Sequence, residues 1–60
     1  MKISELEKLL KKHGCKIWRE GAGHTIWIAP NGNRFTVGRH KSKDVPPGTL
    51  KSILKDAGIE

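Results

Sequence analysis

The sequence predicts an α+β domain: two helices on one face of a three-stranded antiparallel sheet, in the order α-β-β-β-α. Two observations carry this. Each end of the chain holds an apolar stripe at helical spacing, Leu6, Leu9 and Leu10 first and Leu50, Ile53, Leu54 and Ala57 last. Between them run three short segments rich in Ile, Trp, Phe and Val, separated by Gly-Ala-Gly and Pro-Asn-Gly-Asn turns. Strands joined by such short loops pair as a meander, and two amphipathic helices then cover one of its faces.

Each element has its own signals. Ser4 is the expected N-cap of the first helix, with Glu7 closing a Ser-x-x-Glu capping box and Ile3 stapling onto the next turn. Glu5 and Glu7 lead and Lys11 and Lys12 follow, an order that suits the helix dipole. Gly14 is the expected stop, with His13 a surface residue of the last turn. The strands are expected at 15–20, 24–29 and 34–37, the last with Phe35 and Val37 on one face and Arg34 and Thr36 on the other. A loop dense in charge follows, holding Arg39, His40, Lys41, Lys43 and Asp44. Pro46 and Pro47 open the second helix, Thr49 helps to cap it, and Gly58 ends it.

With 60 residues the chain is one domain, 1–60. A domain so small is marginally stable alone, and a partner protein is the expected stabiliser. Cys15 is the single cysteine, so no disulfide forms within the chain. Cys15, His13, His24 and His40 follow no ligand spacing, so neither a metal nor another cofactor is expected. Lys and Arg number 12 against 6 Asp and Glu, a net charge of +6. That balance points to nucleic acid, an anionic surface or an acidic protein. No apolar run approaches the ~20 residues of a membrane span, and the start Met-Lys-Ile-Ser-Glu-Leu has no signal core, so the cytoplasm is the expected location. The second strand is apolar on both faces, with Ile26 and Ile28 pointing one way and Trp27 the other. Either another chain covers the second face, or Trp18 and long Arg stems shield it.

His24 is the side chain best suited to chemistry or recognition, because it opens a strand directly after a glycine turn and imidazoles titrate near neutral pH. RNA can be cleaved when a general base takes the 2′-hydroxyl proton and a cation stabilises the charged transition state. His24 fits the first role, and Arg19, Arg34, Arg39, Lys41 or Lys43 the second; His40 is the general acid or a phosphate contact. RNA binding without cleavage is a second reading. The element order, with a basic last loop and helix, is the plan of double-stranded RNA-binding domains, and Lys41, Lys43, Lys51 and Lys55 would contact phosphates. A basic subunit whose charge serves only protein association is the third.

Nearly the whole chain resembles the HicA toxin family, small ribonucleases of bacterial type II toxin–antitoxin systems. The resemblance rests on Gly21-Ala22-Gly23-His24-Thr25-Ile26-Trp27, then Pro30-Asn31-Gly32, Val37-Gly38-Arg39-His40, and Pro47-Gly48-Thr49-Leu50 with Ile53-Leu54-Lys55 and Ala57-Gly58-Ile59. It implies a double-stranded RNA-binding-like fold, metal-independent cleavage of mRNA and neutralisation by a HicB-type antitoxin. It implies neither a membrane partner nor DNA binding by this chain alone. The family's catalytic histidine falls on His24, and its second frequent histidine on His40. An antitoxin over the open sheet face would bury His24, Ile26 and Ile28. Two positions depart from the family pattern: Gly23 stands where Ser or Asn is common, and Gly38 where Pro is common. Gly23 removes a side chain able to hydrogen-bond near the site, which implies reduced activity with an undisturbed fold.

Overall fold

A computed structural model of the chain describes residues 1–59. The elements follow in the expected order: α1 (Ile3–Lys12), β1 (Lys16–Glu20), β2 (His24–Ile28), β3 (Arg34–Gly38) and α2 (Pro47–Asp56). The strands form one antiparallel sheet in the order β1-β2-β3.

The start of α1 differs from the expectation. Its N-cap is Lys2, not Ser4, and Glu5 rather than Glu7 reaches back to accept the Lys2 N–H at 3.0 Å. The reason is tertiary. The N–H groups of Ile3 and Ser4 donate to the carbonyls of Lys43 and Lys41 at 2.9 and 3.2 Å, so the loop after β3 satisfies the first donors of a helix that starts ahead of Ser4. Glu7 lies within 3.6 Å of Lys41 instead.

Both helices end as expected, by one device. Gly14 at φ +87° lets Cys15 N–H reach Leu10 O and Gly14 N–H reach Lys11 O. Gly58 at φ +75° does the same for Ile59 and Leu54 and for Gly58 and Lys55. These paired bonds make the Schellman motif, which needs a residue at ease with positive φ. Cys15 thus belongs to the helix stop rather than to β1. Ala29 likewise leaves β2 early, because its N–H donates to Asn33 O at 2.8 Å and closes the Pro-Asn-Gly-Asn turn. Asn31 and Asn33 then donate side-chain N–H bonds to Asp56 O at 3.3 and 3.1 Å, tying that turn to the end of α2. Thr49 makes no side-chain cap; Pro46 is the N-cap of α2, with Pro47 in its first position.

The core lies between the helices and the sheet face that carries Trp27. Leu6, Leu10 and Trp27 have no exposed surface, and Phe35, Val37, Ile53 and Ala57 close around them. Leu50 and Leu54 pack against this cluster half-buried. The expected alternation of β3 holds, with Phe35 and Val37 inward and Arg34 and Thr36 exposed. Strand β1 is different: all five of its residues are exposed.

Cys15 is buried, and desolvation pushes its thiol up from the ordinary 9.0. The folded chain therefore holds this proton more tightly than the unfolded chain. The associated stability is present below the ordinary thiol range and is lost as pH climbs through the folded value. Iodoacetamide at mildly alkaline pH is expected to label the native chain far more slowly than the denatured chain, followed by mass spectrometry. Equal rates would mean that the Gly14–Cys15 stop opens freely.

Candidate nucleic-acid interface

His24 is positioned by the turn that precedes it. Gly21 N–H donates to His24 O at 2.9 Å, which closes the loop between β1 and β2. Gly23 makes this closure possible at φ +77°, a left-handed conformation in which a Cβ would have open space but strained backbone. The glycine at this position thus answers a conformational demand rather than a close contact. Gly38 is the other departure; it pairs with His24 across the sheet, and a Cβ there would come within 3.3 Å of Ile3 Cδ1.

The His24 side chain is exposed and shares a face with Ile26 and Ile28, opposite the face that carries Trp27. It has no hydrogen-bond partner among the described residues, so both ring nitrogens are available to a ligand. A cavity of about 230 Å³ opens beside it, with Thr36, Asp44 and Thr49 as its other polar neighbours. His40 lies two residues beyond Gly38, at the same end of the sheet, and is exposed.

The outer face carries a second feature. Against β2, strand β1 pairs Ile17 with Trp27 and Arg19 with Ile26, which leaves Trp18 as the extra residue of a β-bulge. Trp18 lies on the outer face, where the Arg34 guanidinium sits 4.7 Å and that of Arg19 5.1 Å from its ring centre. Each exposed pair of this kind contributes about 0.5–1 kcal/mol. Arg34 belongs to β3, and neighbouring strands are about 4.8 Å apart, so its contact with Trp18 passes over β2. Ile28 lies opposite both Lys16 and Arg34. This roof explains why Ile26 and Ile28 are half-buried rather than bare. Of the two expectations for this face, shielding by Trp18 and Arg stems accounts for part of its cover.

The expected cations divide into three groups. Arg19 and Arg34 share the outer face with His24, and neither has a carboxylate within 4.0 Å among the described residues. Arg39 and Lys41 turn toward the helix side, where Arg39 pairs with Glu20 at 3.4 Å and Lys41 with Glu7 at 3.6 Å. They rim a cavity of about 150 Å³ between α1 and β1, floored by Ile17, Thr25 and Trp27. Such surface pairs are weak, about 0–1 kcal/mol, but they offset part of the charge there. Lys43 stands in the loop that holds the start of α1, and Lys51 and Lys55 are exposed on α2.

Four residues near His24 or on its face are not among the candidate site residues that the sequence offers: Trp18, Thr36, Asp44 and Thr49. Trp18 beside Arg19 was a legible sign, an aromatic next to a cation. Asp44 gave none, because the bridge between Lys2 and Asp44 that fixes its loop is non-local. No three His, Cys, Asp or Glu side chains gather as a metal-ligand set among the described residues, and no helix there is long and apolar enough to cross a membrane.

Residues 3–59 match the family model described as the HicA toxin of bacterial toxin–antitoxin systems. The chain is also 38% identical over 60 residues, covering 100% of both chains, to "Probable mRNA interferase HicA 2" of Photorhabdus laumondii subsp. laumondii. No solved structure matches it. The family match takes in every element described above, from the first residue of α1 to the glycine stop of α2. By that match and by its full-length relative, the chain belongs to the HicA toxin family.

Proposed function

We propose that this chain is an endoribonuclease that cleaves mRNA without a metal, with His24 as general base, and that a HicB-type antitoxin neutralises it. One observation carries the assignment of the base: His24 is exposed, and unpartnered among the described residues, on the sheet face that also carries Arg19 and Arg34. The family and the interferase name of the relative support the reaction class.

His24 takes the proton of a ribose 2′-hydroxyl, and the 2′-oxygen attacks the adjacent phosphorus. The bond from phosphorus to the 5′-oxygen breaks, and that oxygen leaves with a proton from a donor. His40, at the same end of the sheet, is the candidate donor or a phosphate contact. Arg19 and Arg34 stabilise the charge that builds on the phosphoryl oxygens. The attacking group is the substrate's own, so no metal-activated water is needed. Arg39, Lys41, Lys43, Lys51 and Lys55 extend the positive field along the RNA. The antitoxin inhibits by exclusion, covering His24, Ile26 and Ile28 and competing with RNA for the open face. With mRNA as substrate, the chain works in the cytoplasm.

The test is cleavage of end-labelled mRNA by the purified chain in excess chelator. Products ending in 2′,3′-cyclic phosphate and 5′-hydroxyl are expected. Salt-sensitive binding without cleavage would leave an RNA-binding module of the same fold.

A further inference from the structure

We infer that the outer sheet face takes single-stranded RNA, with Trp18 as the stacking platform for an unpaired base next to the cleavage site. This deepens the ribonuclease reading and rests on it. A duplex offers no free base to stack, so Trp18 would select unpaired segments.

Three observations converge. First, Trp18 is an exposed large aromatic residue, 46% accessible, in a chain that buries its other tryptophan completely. The bulge that makes Trp18 the unpaired extra residue of β1 turns it onto the face of His24. Second, strand geometry puts the Trp18–Arg19 pair roughly 8–10 Å from His24, two residues along and one strand across, close enough for neighbouring nucleotides. Third, the surroundings are cationic: the Arg19 and Arg34 guanidiniums lie over the ring, Lys16 stands two residues before it on β1, and neither arginine is within 4.0 Å of a carboxylate among the described residues.

The same facts favour RNA over a protein as the ligand of Trp18. The aliphatic part of the face, Ile26 and Ile28, is already half-covered by the chain's own side chains. What remains is an aromatic ring among cations that have no carboxylate partner among the described residues, the composition of single-strand grooves. The guanidiniums now over the ring are no obstacle. An exposed cation on an indole is held more weakly than a stacked base, so a base can displace one, and the freed guanidinium then meets a phosphate.

The test uses a fluorescein-labelled single-stranded RNA and its duplex, with affinity read by anisotropy in a His24→Ala background that prevents cleavage. Trp18→Ala and Trp18→Leu are expected to weaken single-strand binding roughly tenfold or more, while Trp18→Phe retains most of it. Duplex binding is expected to stay unchanged in all three. Circular dichroism of each variant confirms that this half-exposed position leaves the fold intact. Single-strand affinity unaltered in Trp18→Ala, or an equal loss for the duplex, overturns the inference and leaves the face to a protein partner. If the native chain cleaves RNA and Trp18→Ala binds normally, only this inference fails. If the native chain neither binds nor cleaves RNA, the ribonuclease reading falls and takes it along.

Discussion

Replacing His24 with alanine is expected to leave RNA binding within a few-fold of the native chain and to lower cleavage by roughly a hundred- to ten-thousand-fold. The separation follows from the position of the side chain. His24 is exposed and makes no hydrogen bond among the described residues, and its backbone role in closing the glycine turn does not depend on the imidazole. Stability should therefore change by no more than about 0.5 kcal/mol, as for other surface substitutions free of special contacts. Any fall in cleavage then reports chemistry rather than folding. Truncating Arg34 makes the informative contrast, because a cation that holds phosphate should weaken binding and flatten its salt dependence. Measuring rate and affinity side by side for His24→Ala and Arg34→Ala separates base from binder. If His24→Ala cleaves like the native chain, the base lies elsewhere, and His40 becomes the next histidine to replace.

The element order was readable because local signals agreed with one another: two helical stripes, two glycine stops and two turn sequences. What could not be read was non-local. Ser4 and Glu7 form a sound capping box on paper, yet carbonyls from Lys41 and Lys43, some forty residues away, serve the first turn and move the cap to Lys2. The basic loop looked like one phosphate-binding run. In the fold Glu20 and Glu7 draw Arg39 and Lys41 to the helix side, while Arg19 and Arg34, far apart in sequence, meet over Trp18. The alternation of β2 correctly put His24, Ile26 and Ile28 on one face, because side chains on a strand repeat every second residue. The bulge at Trp18 was invisible, since it depends on how β1 slips against β2. The place of His24, first in β2 and exposed on the open face, was therefore legible, and the partition of the cations was not.

Trp27→Ala is expected to unfold most of the protein. Trp27 is fully buried, with Ile17 and Phe35 as its cross-strand neighbours and Leu6 and Leu10 in the same cluster. Truncating a buried tryptophan costs about 3–5 kcal/mol, transfer and cavity together. A domain of 60 residues has a total stability of about 3–9 kcal/mol at the usual density per residue. The loss is comparable to the whole, whereas Trp18→Ala, at a half-exposed position, removes little. Urea titration followed by circular dichroism checks both, with the remaining tryptophan of each variant as a fluorescent reporter. Trp27→Phe sharpens the argument. The indole Nε1 is buried without an acceptor among the described residues, so phenylalanine removes an unsatisfied donor along with part of the ring. These effects oppose each other, and Trp27→Phe should lose far less stability than Trp27→Ala. A Trp27→Ala midpoint close to the native one would mean that the core is held by the helices alone. Equal losses for Phe and Ala would mean that the indole N–H finds an acceptor in solution.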